Sequence, residues 1–146
     1  MSKTMDSRQF GNLSFRPPAR WGDRTVVAYH EDPYEEFAHS LSISRDPAEG
    51  RELEDYAEQQ ISELNEHLPE FRVLDRSRRV LAAGQAVRLT TTWRNFDSRF
   101  LRQIHYFIRH SDEYLIVTGT ASIDTIEQLE PEYDRVAESI RIDEEA

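Results

Sequence analysis

The stretch Gln85 to Ser122 limits what this chain can fold into more than any other. It reads as three consecutive strands, Gln85–Arg94, Phe100–His110 and Tyr114–Ser122. The breaks at Asn95-Phe96-Asp97-Ser98 and Ser111-Asp112-Glu113 are short enough for hairpins, so an antiparallel meander is expected. In the first strand Val87, Leu89, Thr91 and Trp93 alternate with Arg88, Thr90, Thr92 and Arg94, which predicts one half-apolar face and one wet face. The middle strand departs from that pattern. Leu101, Gln103, His105 and Phe107 point one way while Ile104, Tyr106 and Ile108 point the other. A strand that is apolar on both sides needs two covers. Only two good amphipathic helices are legible, and helices beside an antiparallel sheet usually segregate to one face. The expectation is therefore an α+β fold, an antiparallel sheet with helices packed on one face, whose other face awaits a partner.

The size and charge of the chain narrow the partners. At 146 residues one domain is expected, over residues 10–142, with residues 1–9 disordered and an acidic tail at 143–146. Eighteen basic and 28 acidic side chains give a net charge of −10. That balance argues against nucleic acid, whose backbone demands a basic footprint. There is no cysteine, hence no disulfide framework and no thiolate chemistry. The polar start, Met1 to Asp6, is followed by no apolar segment of the kind a secretory signal needs, and no run approaches a membrane span. The expected location is the cytoplasm.

Ahead of the meander, Gly11 to Phe15, Thr25 to Tyr29 and Ala38 to Arg45 read as strands. Leu41 and Ile43 alternate there with Ser42 and Ser44, a small-residue face that would let another backbone come close. Leu53 to Leu68 reads as a helix stopped by Pro69, with Leu53, Tyr56, Ala57, Gln60, Ile61, Leu64 and Leu68 along one stripe. Gln60 is out of character in that stripe, because a buried amide without a partner costs about 1 to 3 kcal/mol. Phe71 to Leu81 is a further strand whose Arg76, Arg78 and Arg79 suit an exposed face better than an anion site. Pro131 suits the first turn of a second helix with Tyr133, Val136, Ala137 and Ile140 on its buried side.

The search for chemistry yields little. The five histidines form no helical zinc motif, no Gly-x-Ser-x-Gly elbow is present, and the five glycines make no phosphate loop. No metal, cofactor or catalytic residue is expected. A satisfied structural His105 fits its apolar strand face better than a general base does; a small α+β-cone enzyme or carrier holding an apolar molecule in a pocket around His105 is the alternative. By elimination the function falls to an uncovered sheet face, for which Val26, Ala28, Leu41, Leu101, Phe107 and Val117 are the candidate lining.

Several stretches then resemble one family. Trp21 through Tyr29, Ser40-Leu41-Ser42-Ile43-Ser44-Arg45-Asp46, Tyr56-x-x-x-Gln60, Leu68-Pro69-x-Phe71, Gly84-x-Ala86-Val87 and Leu101-Arg102-Gln103 look like the Eag (effector-associated gene) chaperones of bacterial type VI secretion, over roughly residues 10 to 140. The resemblance implies a DcrB-like fold related to the Mog1 and PsbP sandwiches, and a cytoplasmic homodimer. It implies a partner too: the N-terminal transmembrane segments of an effector of the PAAR or Rhs type, shielded until the effector is loaded on the secretion spike. Carried over position by position, effector-helix binding falls on the apolar surface at Val26, Ala28 and Ser42 and on the polar contacts Gln60 and Gln103. The chain departs at Ser42, where family members can carry an aliphatic residue, and Ala28 makes a shallower lining than isoleucine would.

Overall fold

The structure, a computed structural model, describes residues 8–10, 13–15, 26–30, 39–95 and 99–142. Strands β1 (Arg8–Phe10) and β2 (Leu13–Phe15) form a small antiparallel pair. Strands β3 (Val27–His30), β4 (Ser40–Pro47), β5 (Arg72–Val80), β6 (Gln85–Arg94), β7 (Phe100–His110) and β8 (Glu113–Ser122) form a six-stranded antiparallel sheet in the order β3-β4-β8-β7-β6-β5. Helix α1 (Leu53–His67) links β4 to β5, and α2 (Ile126–Ser139) follows β8. The α+β class and the meander are those the sequence predicts, the meander strands to within a residue.

The helices do not share a face. On β7 Phe107 packs edge-on against Tyr56 of α1, and Tyr56 stacks on Tyr114 at 3.8 Å between ring centroids. The neighbouring β7 positions Ile104, Tyr106 and Ile108 join Tyr133 and Ala137 of α2 in a second cluster. Adjacent strand residues point to opposite sides, so α1 and α2 lie on opposite faces of the sheet. The single-face expectation is thus corrected. The physical reason is β7 itself: Leu101 and Phe107 lie on one of its faces and Ile104, Tyr106 and Ile108 on the other, and burying each such chain is worth about 1.5 to 3 kcal/mol. Among the residues expected to line an open surface, Phe107 is buried beneath α1 and Val117 is buried in the α2 cluster, while Leu101 is buried as well.

Three local details fix these covers. Gly119 on β8 has no room for a Cβ, which would sit 2.4 Å from the Tyr133 ring, so α2 lies directly on the strand backbone there. The Tyr133 hydroxyl donates to the Thr120 carbonyl at 2.8 Å. On the other side Arg76 and Arg78 of β5 reach across to α1, where Glu54 accepts from both and Glu58 from Arg76; those hydrogen bonds hold the Glu54 carboxyl below its ordinary pKa. Helix α2 starts five residues before Pro131, which therefore lies inside it and withdraws one backbone donor.

The face of β6 expected to be wet is buried. Arg88 is 5% exposed; its Nε donates to Asp134 at 2.9 Å and its Nη2 to Glu130 at 2.7 Å, both on α2. Asp134 also accepts from the Tyr106 hydroxyl at 2.6 Å. A guanidinium can enter an apolar layer only with such partners. On the α1 side His105 is 4% exposed, with Thr91 Oγ1 3.2 Å from Nε2 and Thr118 Oγ1 3.4 Å from Nδ1. Burial lowers its pKa to about 4.

Two predictions follow from these buried polar groups. Asp134→Ala should destabilise the chain by about 2 to 3 kcal/mol in chemical denaturation, because it strands a buried cation, whereas Glu130→Ala, at a more exposed carboxylate, should cost under about 1 kcal/mol; equal effects would contradict the assignment of Asp134 as the principal partner. Folded His105 stays neutral down to about pH 4, while an unfolded chain protonates it near pH 6.5. Between those values the unfolded state binds the extra proton, so stability is complete above pH 6.5 and falls by about 1.4 kcal/mol per pH unit below it. His105→Gln should flatten that slope between pH 6.5 and 4.5; an unchanged slope would assign it to other groups.

Candidate functional site

A helix is about 10 Å across and strands are about 4.8 Å apart, so α1 covers little more than two strands. Its partners are Val87 and Leu89 of β6, Phe107 of β7 and Tyr114 of β8, with Ile116 at the margin. Beyond that footprint the same face continues across β8, β4 and β3. Register places Ala28, Ser42, Thr118 and His105 in one cross-strand row, and Ser40, Thr120, Gln103 and Thr91 in the next. Ser122, Leu101 and Trp93 make a third. Outside α1 the surface is a shelf of small side chains and hydroxyls, half-buried at Ser40, Ser42, Thr118 and Thr120 and exposed at Ala28.

Of the residues that sequence reasoning assigned to binding, Ala28, Ser42 and Gln103 come together on this shelf, in adjoining rows. Val26 is 53% exposed and stands immediately before β3, two positions from Ala28. Gln60 is half-buried in α1, and no side-chain hydrogen bond ties its amide to the shelf. Leu41, in register with exposed Tyr29 and with Gly119, belongs to the opposite face, where it packs against the α2 cluster. His105 supplies no reactive base: the ring is enclosed, both nitrogens face threonine hydroxyls, and its lowered pKa leaves it neutral and weakly basic. The alternative of a pocket centred on it is corrected accordingly.

The polar chemistry of the shelf is incomplete in two places. Gln103 Nε2 donates to Thr120 Oγ1 at 3.1 Å, but Gln103 Oε1 is shielded from water and has no hydrogen-bond partner. Trp93 Nε1, diagonal to it on the same face, is likewise unpaired. Each such group costs about 1 to 3 kcal/mol. An acceptor and a donor side by side match the two edges of a peptide backbone. Trp93 is the residue sequence reasoning missed; its alternation with Thr91 put it on the apolar side, and only the fold shows its indole N–H left over. Among the described residues no group of three histidines or carboxylates is placed to hold a metal, and no helix is long and apolar enough to cross a membrane.

The fold recurs among solved structures. A protein of unknown function from Pseudomonas aeruginosa, PA94, superposes with a TM-score of 0.77 at 22% identity, over 97% of this chain and 99% of its own. The cyanobacterial PsbP (CyanoP) of Synechocystis superposes with a TM-score of 0.55 at 9% identity, over 89% of this chain and 86% of its own. At these identities the likeness concerns the fold. No curated protein matches the sequence. The profile of the DcrB family matches residues 13–139, from β2 to the end of α2, and so takes in the whole six-stranded sheet with both of its helices. The chain belongs to the DcrB family.

Proposed function

We propose that this protein is a cytoplasmic, homodimeric chaperone and adaptor of the Eag type, without enzymatic activity. Its client is a type VI secretion effector of the PAAR or Rhs class; the chaperone shields the effector's N-terminal transmembrane segments and helps load it on the spike. The observation that carries the reading is the α1-side shelf, with small side chains from Ala28 to Thr118 and two unpaired polar atoms at Gln103 and Trp93.

A membrane helix in water exposes about 20 apolar residues, and covering them yields about 25 cal/mol per Å². Helices rich in glycine and alanine suit a flat floor of Ala28, Ser42 and Thr118, because small faces let backbones approach. At close range their Cα–H and carbonyl groups reach polar side chains. A turn of the Gln103 and Trp93 side chains toward the client then gives Oε1 and Nε1 the partners they lack in the chain alone. Val26, exposed at the shelf's end, adds apolar area at little risk to the core.

The test is co-purification with the hydrophobic N-terminal segment of the effector encoded next to the chaperone. Val26→Asp should abolish capture while shifting the melting temperature by less than about 2 °C, as a surface substitution does. Capture at the wild-type level would contradict the proposal, and a collapse in stability would return Val26 to the core. Gln103→Ala and Gln60→Ala should each weaken binding about 5- to 30-fold, the worth of one hydrogen bond to a buried amide. Unchanged affinity in both removes their assigned role.

A further inference from the structure

The opposite face carries a second site, independent of the shelf. Next to Ile123, where the chain leads into α2, a cleft of about 440 Å³ opens at the end of β5, β6 and β7. That volume lies in the range of small-molecule sites. Leu74, Phe100 and Ile123 line it and are all exposed. Two of its walls are cationic. Arg72, Thr92 and Arg102 are cross-strand neighbours in one row, on the α2 side of the sheet. The two arginines are therefore about 10 Å apart at their Cα atoms, close enough for both long side chains to meet one anion above Thr92.

The charges in the cleft do not balance. Its one carboxylate among the described residues, Glu70, is taken by Arg94 at 2.5 Å. Neither Arg72 nor Arg102 forms an ion pair among the described residues, and Arg102 Nε is shielded from water without a hydrogen-bond partner. That is unexpected in a chain with 28 acidic side chains. An enclosed guanidinium edge without an acceptor is a standing deficit, and a guanidinium fork matches a carboxylate or phosphate in bidentate geometry. We propose that this cleft binds an alkyl chain ending in an anionic head, carboxylate or phosphate, with the head between Arg72 and Arg102 and the chain along Leu74, Phe100 and Ile123.

Sodium decanoate, decyl phosphate and neutral 1-decanol, each below its micelle-forming concentration, are the probes. Binding is followed on the full chain by calorimetry and by amide chemical shifts. The expected result is that at least one of the two anions binds at least 10-fold more tightly than decanol, with the shifts centred on Arg72, Thr92, Phe100 and Arg102. Which anion binds assigns the head group. Arg72→Gln and Arg102→Gln should each weaken that binding at least 10-fold, and Ile123→Glu should abolish it. Should Arg102→Gln fail to fold, the exposed Arg72 and Ile123 carry the test. Failure of both anions to bind, equal binding of decanol, affinity unaffected by the arginine substitutions, or shifts centred on Gln103 instead would each overturn the assignment.

Discussion

The structure depends on one constraint: β7 is apolar on both sides and sits near the middle of the sheet. A strand of that kind cannot be buried by one layer. Each side takes its own helix, the Tyr56–Phe107–Tyr114 ring cluster seating α1 and the Gly119–Tyr133 contact seating α2. Six strands are about 24 Å wide from first to last, while one helix covers little more than two of them. Among the described residues a single helix per face leaves part of the sheet without a helix over it, and it does so at opposite ends. On the α1 side the remainder is the hydroxyl-lined shelf over β8, β4 and β3; on the α2 side it is the arginine-flanked cleft over β5, β6 and β7. Both candidate sites are consequences of the same geometry.

The buried polar groups specify this arrangement more than they stabilise it. A buried ion pair offsets its own desolvation only when its hydrogen bonds are complete. Arg88 meets that condition through Asp134, Glu130 and Tyr106, which fixes the rotation of α2 about its axis as well as its place. On the other face His105 is satisfied by two threonines of the neighbouring strands and carries no charge. Gln103 and Trp93 are exceptions to this completeness, and they lie together at the border of α1's cover. Buried groups left unpaired are where an external backbone has most to contribute.

Much of this fold is legible in the sequence. Alternation and hairpin breaks locate β6, β7 and β8 to within a residue, and Pro69 marks the end of α1. The faces are less legible. Arg88, Thr90 and Thr92 carry the pattern of a wet strand, and the burial of Arg88 depends on Glu130 and Asp134, more than forty positions away in the chain. Pro131 reads as a helix start because its missing donor is harmless there, yet the apolar contacts of Ile126 and Leu129 carry the helix back a further turn. Register, which no periodicity supplies across strands, is what brings Ala28, Ser42 and Gln103 into adjoining rows and sends Leu41 to the far side. Residues 8 and 9, expected in a disordered leader, are part of β1. The stretch 21–25, the remainder of the leader and the acidic tail at 143–146 lie outside the described residues.

The central claim is that a client lies on the α1 side of β3 and β4, and two adjacent positions can decide it. Ala28 and Tyr29 are both exposed, are consecutive in β3, and point to opposite faces of the sheet. A photo-crosslinking amino acid introduced at each in turn, in the complex with the effector's hydrophobic N-terminal segment, reports which face is occupied. Strong crosslinking to the client from position 28 with little from position 29 is the predicted result; the reverse, or equal yields from both, would contradict the account.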